Sequence, residues 1–341
     1  MKIAVIGGDA AEGGIYVFDD VAAPAAGATP EPVVLYSRSP AYPIYLYWSP
    51  DGRRIAFITS EAAGLALQVV SADGSGSPVV VRRGSPMYWD WVDEAHLLVH
   101  SGADGPDAFV GEVGLDAPQS TAVSSSPGQF QAPGVAPTGG DRAYAVAPAP
   151  DGRRVVVEGA DGSIRASAAV DGPTAVGWSP AGDRLAYITP VPASVVPIGR
   201  LDVMDARTGS TRTLLDGFVV AFFWAPDART IAVIRLADAS GETASVEPVA
   251  TPGRGIRLTF VDAATGAVRS DREVRLPPLI IAQFVPFFDQ YALSHRIWSA
   301  TGEAIVLPLV DDSGESRVTI IPADGSPPAR LADGVAAFWS P

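Results

Sequence analysis

Trp48-Ser49-Pro50-Asp51-Gly52-Arg53-Arg54-Ile55-Ala56-Phe57-Ile58-Thr59 decides the reading of this chain. An aromatic residue ends one strand, Pro-Asp-Gly makes a tight turn, and an alternating apolar run starts the returning strand. Proline presets φ at the first corner, aspartate bonds its own backbone, and glycine tolerates φ > 0. The string returns from Trp178 (Trp-Ser-Pro-Ala-Gly-Asp-Arg-Leu-Ala-Tyr), from Trp224 (Trp-Ala-Pro-Asp-Ala-Arg-Thr-Ile-Ala-Val) and from Trp298 (Trp-Ser-Ala-Thr-Gly-Glu-Ala-Ile-Val-Leu). Weaker copies start at Trp91 and Val135, and Phe338-Trp339-Ser340-Pro341 begins one more.

Successive starts at 48, 91, 135, 178 and 224 are 43, 44, 43 and 46 residues apart. A period of that size suits four short antiparallel strands with their turns, which is one blade of a β-propeller. Pro150-Asp151-Gly152 also resembles the motif, but a start there would leave too little chain before Trp178, so it reads as a hairpin inside one blade. The expected fold is all-β: a seven-bladed β-propeller with four antiparallel strands per blade. The blades fall at 335–341 plus 1–37, 40–85, 86–127, 128–172, 173–217, 218–276 and 277–334. Its C-terminal strand is expected to complete the N-terminal blade, because Phe-Trp-Ser-Pro followed by Met1-Lys2-Ile3-Ala4-Val5-Ile6 approximates one whole motif. Such closure removes free sheet edges.

Composition agrees. Apolar residues make up 47% of 341, enough for a large core, and 35 Gly with 31 Pro fall between short Val/Ile/Tyr/Phe runs. A net charge of −14 disfavours nucleic acid, which needs a basic stripe, and disfavours anionic lipid. With no cysteine, disulfides, thiolate catalysis and cysteine metal sites are excluded. No signal peptide is legible, since Ile3–Ile6 is too short for a leader core, and no stretch is long enough to span a bilayer as a helix.

The Trp-Ser-Pro-Asp-Gly repeats, with third strands of the Ile15-Tyr16-Val17-Phe18-Asp19 type, resemble the propeller repeats of the TolB family and the WD-like propellers of prolyl oligopeptidases. The resemblance covers most of the chain and implies the fold, a binding role and an extracytoplasmic location. Nothing here matches the additional α/β domain of either family.

Catalytic signatures are scarce. Gly7-Gly8 after the first strand lacks dinucleotide-binding spacing, and there is no nucleophile elbow or phosphate loop. His96 and His100 share a face if their run is a regular strand, and read as surface or packing histidines. Asp311-Asp312-Ser313-Gly314-Glu315 is an acidic turn without the spacing of a calcium loop. Asp289, Gln290, Tyr291, His295 and Arg296 precede Trp298 and are expected at the mouth of the central channel, where they could orient a polar ligand.

Strand alternation assigns the long loops to one edge of the repeats. The interval from Trp224 to Trp298 is 74 residues, and its excess falls in Ala237–Gly255 and Pro277–Gln290. Both, with Pro190–Gly199, lie opposite the Pro-Asp-Gly turns; Val21–Pro32 belongs to the other edge. Phe284, Phe287 and Phe288 are apolar for a loop: exposed they would form a partner patch, folded inward they would pack on neighbouring blades. The expectation is a non-enzymatic binding propeller, monomeric, with no cofactor and no metal, holding a protein or peptide at the loop-rich edge and channel mouth. The alternative is a lactonase- or lyase-type propeller with a channel metal, for which Asp289 and His295 are the first candidates.

Overall fold

The structure, a computed structural model, describes residues 3–7, 14–18, 33–37, 41–62, 64–102, 108–116, 120–128, 130–149, 152–237, 255–278, 280–291 and 296–333. The chain is all-β and divides at Val123/Ser124 into two compact units. In the first, three antiparallel sheets follow one another: β1 (Ile3–Gly7), β2 (Gly14–Phe18) and β3 (Val33–Ser37); then β4 (Tyr42–Trp48), β5 (Arg54–Glu61), β6 (Gly64–Ser71) and β7 (Val79–Gly84); then β8 (Met87–Trp91), β9 (His96–Ser101), β10 (Phe109–Gly114) and β11 (Ser120–Ala122).

The second unit opens with β12 (Gly134–Val135), β13 (Arg142–Ala149), β14 (Gly152–Glu158) and β15 (Ile164–Ala169). Its next sheet has seven strands: β16 (Val176–Trp178), β17 (Arg184–Pro190), β18 (Gly199–Asp205), β19 (Thr211–Trp224), β20 (Thr230–Leu236), β21 (Ile256–Asp262) and β22 (Val268–Val274). The last is β23 (Ala304–Val310), β24 (Ser316–Pro322) and β25 (Ala329–Asp333), with an isolated bridge from Trp298 to Ile305. Every sheet is a meander of sequence neighbours.

Uniform four-stranded sheets were the expectation, and the seven-stranded sheet departs from it for a local reason. Residues 211–215 of β19 pair with β18, and residues 218–224 pair with β20. Gly217, at φ +112°, lets one strand leave the first partner and join the second without a break. Three-stranded sheets at the two ends are the other departure.

The repeat motif builds the same turn each time. The Ser49 N–H donates to Arg54 O (2.9 Å) and the Gly52 N–H to Ser49 O (2.9 Å), while the Ser49 hydroxyl donates to Asp51 (2.6 Å). Ser179 repeats this with Arg184 and Gly182, and Ser299 with Ala304 and Gly302. In the copy after Trp224 the glycine position is Ala228, held at φ +58°. The Asp205–Gly209 and Asp262–Gly266 turns, before the last strands of two repeats, are equally alike. Each aspartate accepts two backbone N–H groups and a threonine hydroxyl. Arg184 crosses between repeats at this edge, donating to Ala263 O (3.0 Å) and Ala228 O (2.8 Å).

The motif tryptophans tie successive repeats together. The Trp178 indole donates to Gly134 O (3.2 Å), Trp224 to Gly177 O (3.0 Å) and Trp298 to Phe223 O (2.9 Å). Each acceptor immediately precedes the motif residue of the repeat before. Behind these contacts runs the apolar core of the second unit, built from inward residues such as Leu201, Val233, Leu258 and Phe260. In the first unit Ile15, Leu35, Phe57 and Val70 join the first two sheets.

Candidate functional site

Between β22 and β23 the expected loop is instead a short helical run. Pro277 and Pro278 end the extended chain, and the Pro277 carbonyl accepts the N–H groups of Ile280 (3.0 Å) and Ile281 (3.2 Å). A π turn over Ile280–Phe284 and a 3-10 turn over Val285–Phe287 follow, then the single α turn α1 (Phe288–Tyr291).

Phe284 and Phe288, four residues apart, share one face and seat the run on β19. Phe284 stacks on Phe223 at 6.1 Å between centroids; Phe288 meets Phe222 at 5.3 Å and Phe223 at 5.4 Å, edge to face. Such pairs are worth about 0.5–1.5 kcal/mol beyond the area they bury. Phe284 and Phe288 are therefore core residues, the inward-packed one of the two alternatives that the sequence leaves open. Phe287 alone of the three is exposed, at 43%.

Asp289 is buried beside them, and its backbone carbonyl accepts the Ala132 N–H (3.0 Å). Burial pushes its carboxyl up to about 7, against a small opposing effect from its own N–H. Other buried carboxylates are better served. Glu158 accepts the Ser124 N–H (2.9 Å), the Ser124 hydroxyl (2.6 Å) and the Tyr144 hydroxyl (2.5 Å); Asp202 accepts Thr213 Oγ1 (2.7 Å) and Arg200 Nε (2.9 Å). No described ion pair involves Asp289. Gln290 is half-buried, Tyr291 closes α1, and Arg296 is exposed. His295 lies outside the described residues, as does most of Ala237–Gly255. Phe284, Phe288 and Asp289 thus come together, while Phe287 and Arg296 are the candidates that reach solvent.

The same edge carries a cavity that sequence reasoning missed. It measures about 330 Å³ and is lined by Gly255, Ile256, Glu273, Val274, Leu276 and Ile281, with Arg275 at its side. Arg275 also pairs with Asp312 (2.7 Å). Its sequence signal was the pair of long connections that flank it. Val195, in the Pro190–Gly199 connection, is 86% exposed on the edge shared by these connections.

The remaining candidates are structural. Asp93 holds the His96 Nδ1 (2.9 Å), and His100 is buried. Asp311 accepts the N–H groups of Ser313 (2.9 Å) and Glu315 (3.1 Å) and pairs with Arg317, so the acidic turn is satisfied internally. Among the described residues no three His, Asp or Glu side chains converge as a metal site, and no helix is long and apolar enough to cross a membrane.

No family model and no curated protein matches the chain. Solved structures do. A prolyl endopeptidase aligns at TM-score 0.60 and 13% identity over 95% of this chain and 47% of that one. A chain of the mitotic checkpoint complex aligns at TM-score 0.52 and 13% identity over 98% and 88%. TolB from Acinetobacter baumannii aligns at TM-score 0.47 and 17% identity over 83% of this chain and 64% of that one. The chain thus spans about two thirds of that TolB and half of the endopeptidase. At these identities the likeness speaks for the fold alone. Together with the repeated meanders, it defines a β-propeller. In fold it is similar to the propellers of that endopeptidase and that checkpoint-complex chain.

Proposed function

We propose that this chain is a binding propeller that recognises a protein or peptide through the loop-rich edge of its second unit. The observation that carries the reading is the gathering, on one edge, of exposed Val195 and Phe287 with the 330 Å³ cavity beside Ile281. Loops on a rigid β scaffold are where recognition residues are placed, and exposed apolar side chains there are suited to a protein surface. Phe287, Gln290 and Arg296 are the side chains proposed to touch the partner; Phe284, Phe288 and Asp289 hold the run that presents them, and Tyr291 and His295 belong to the same proposed site.

The architecture proposed with it has seven blades. The seven-stranded sheet then counts as two blades sharing β19, divided at Gly217. The first sheet is short by one strand, and β1 is its edge among the described residues. Aligning Ile3-Ala4-Val5 with Ile55-Ala56-Phe57 of β5 makes β1 a second strand, whose missing inner neighbour is the stretch ending at Trp339. The monomeric state and extracytoplasmic location are part of the same proposal.

The test is affinity capture from the native source with the wild-type chain and a Val195→Glu, Phe287→Glu variant that melts like it. The proposal expects a protein bound by the first and lost by the second. Identical captures, or none with folded bait, would overturn it.

A further inference from the structure

The indole contacts of the second unit supply an internal control for the first. Gly134, Gly177 and Phe223, the three acceptors, pair across their sheets with Ala143, Ala186 and Ala232. In the second sheet the residue paired with the equivalent Ala56 is Tyr47, so Tyr47 O is the carbonyl that Trp91 should reach from the third sheet. It does not. Trp91 is buried, and its Nε1–H has no hydrogen-bond partner among the described residues. Trp89, two residues earlier on the same face of β8 and 0% exposed, leaves its Nε1–H unpaired as well.

A physical cause is visible. Two positions before the motif residue, the other repeats carry Val176, Phe222 and Arg296, whereas this one carries Trp89. Its ring meets Tyr45 at 5.3 Å and Tyr47 at 5.0 Å, edge to face, and fills the space between β4 and β8. At Gly134 and Gly177, by contrast, a Cβ would come within 3.1 Å of Trp178 and 2.9 Å of Phe222, so those glycines make room for the neighbouring ring at two of the three indole bonds. Tyr45 also meets Tyr88 edge to face at 6.3 Å, and arginine contacts join the two sheets as well. Arg54 donates to Glu94 O (2.5 Å), Arg82 donates to Ser101 Oγ (2.8 Å), and the Arg82 guanidinium lies 3.6 Å over the Phe109 ring.

We propose that the seam between the second and third sheets is a built-in opening point, where the two sheets part before any seam that an indole bond closes. At the three seams of the second unit the motif indole is paired across the seam. Here two indole donors are left without partners, and opening the seam returns both to water with no indole hydrogen bond lost. Local opening of this kind is what amide exchange reports.

The experiment is hydrogen exchange by mass spectrometry on the full chain under native conditions, with Trp91→Phe and Trp178→Phe beside the wild type. Amides of β4 and β8 that face the seam should exchange about tenfold or more faster than those of β16 and residues 218–224. Trp91→Phe should leave every rate unchanged, because no bond is lost. Trp178→Phe should speed exchange in β12 and β16. Equal or slower exchange at β8, or acceleration by Trp91→Phe, would overturn the proposal. If Trp178→Phe proves unfolded, the wild-type comparison and Trp91→Phe still decide.

Discussion

Replacing Asp289 by asparagine should make this protein more stable above neutral pH and leave it unchanged in acid. The side chain is buried, and desolvation pushes its folded-state pKa up to about 7 from 3.8. Folded protein therefore keeps the proton over a range in which unfolded chain has released it. Below about pH 4 both states are protonated and the ionisation-linked cost is absent. Stability then falls as pH rises toward 7, and beyond 7 the full cost of a buried charge is present. At 1.36 kcal/mol for each pK unit, a shift of about three units amounts to as much as ~4 kcal/mol. Asparagine keeps the shape and never ionises. Urea unfolding of both proteins at pH 4, 6 and 8 should give a difference near zero at pH 4 that grows to several kcal/mol at pH 8. A variant no more stable than wild type at pH 8, or offset by the same amount at every pH, would refute the reasoning.

Other predictions rest on single contacts. Ala228→Gly removes a left-handed alanine and should stabilise by about 1 kcal/mol, read as a higher Tm. Phe284→Ala or Phe288→Ala should cost about 3–5 kcal/mol in denaturant unfolding, whereas Phe287→Ala should stay within about 0.5 kcal/mol. Trp298→Phe, losing a buried hydrogen bond, should cost about 1–3 kcal/mol by the same assay, and Trp224→Phe, losing a part-buried one, about 0.5–1.5 kcal/mol. In acid, the turn carboxylates decide. Hydrogen bonds from the Ser75 and Ser71 side chains hold Asp73 down at about 2, and the Ser49 hydroxyl lowers Asp51. Their contribution is complete above about pH 4 and is lost as pH falls toward 2, so Ser49→Ala with Ser71→Ala should shift the acid transition, followed by circular dichroism, to higher pH.

Much of the fold was legible because its signals are local. Proline, aspartate and glycine at fixed offsets specify a turn wherever they occur, so the turns after Trp48, Trp178 and Trp298 could be read directly. The turns opening at Asp205 and Asp262 follow from one carboxylate and the glycine after it. Continuity of β19 was not legible: Leu215-Asp216-Gly217 has the composition of a turn, and only pairing on both sides makes it a bend within one strand. Which of the loop aromatics pack inward stays open between two alternatives in the sequence, since composition alone does not say which way an apolar connection folds. A signal existed: Ile280, Phe284 and Phe288 recur at four-residue steps, the helical period. The edge carrying the candidate site followed from strand alternation and loop length, while its cavity depends on side chains brought together from β21, β22 and the helical run.

Closure of the repeats by the two ends of the chain is the claim on which the architecture turns, and the absence of cysteine makes it directly testable. In β16 and β17 the residue two before the motif tryptophan, Val176, faces Tyr187. If the proposed closure holds, the same register puts Ala337 opposite Val5. A Val5→Cys, Ala337→Cys variant, mildly oxidised, should form an intramolecular disulfide, seen as a monomer of faster non-reducing migration that loses two hydrogens in mass. Thiols that stay free, or that link only between molecules, would contradict closure.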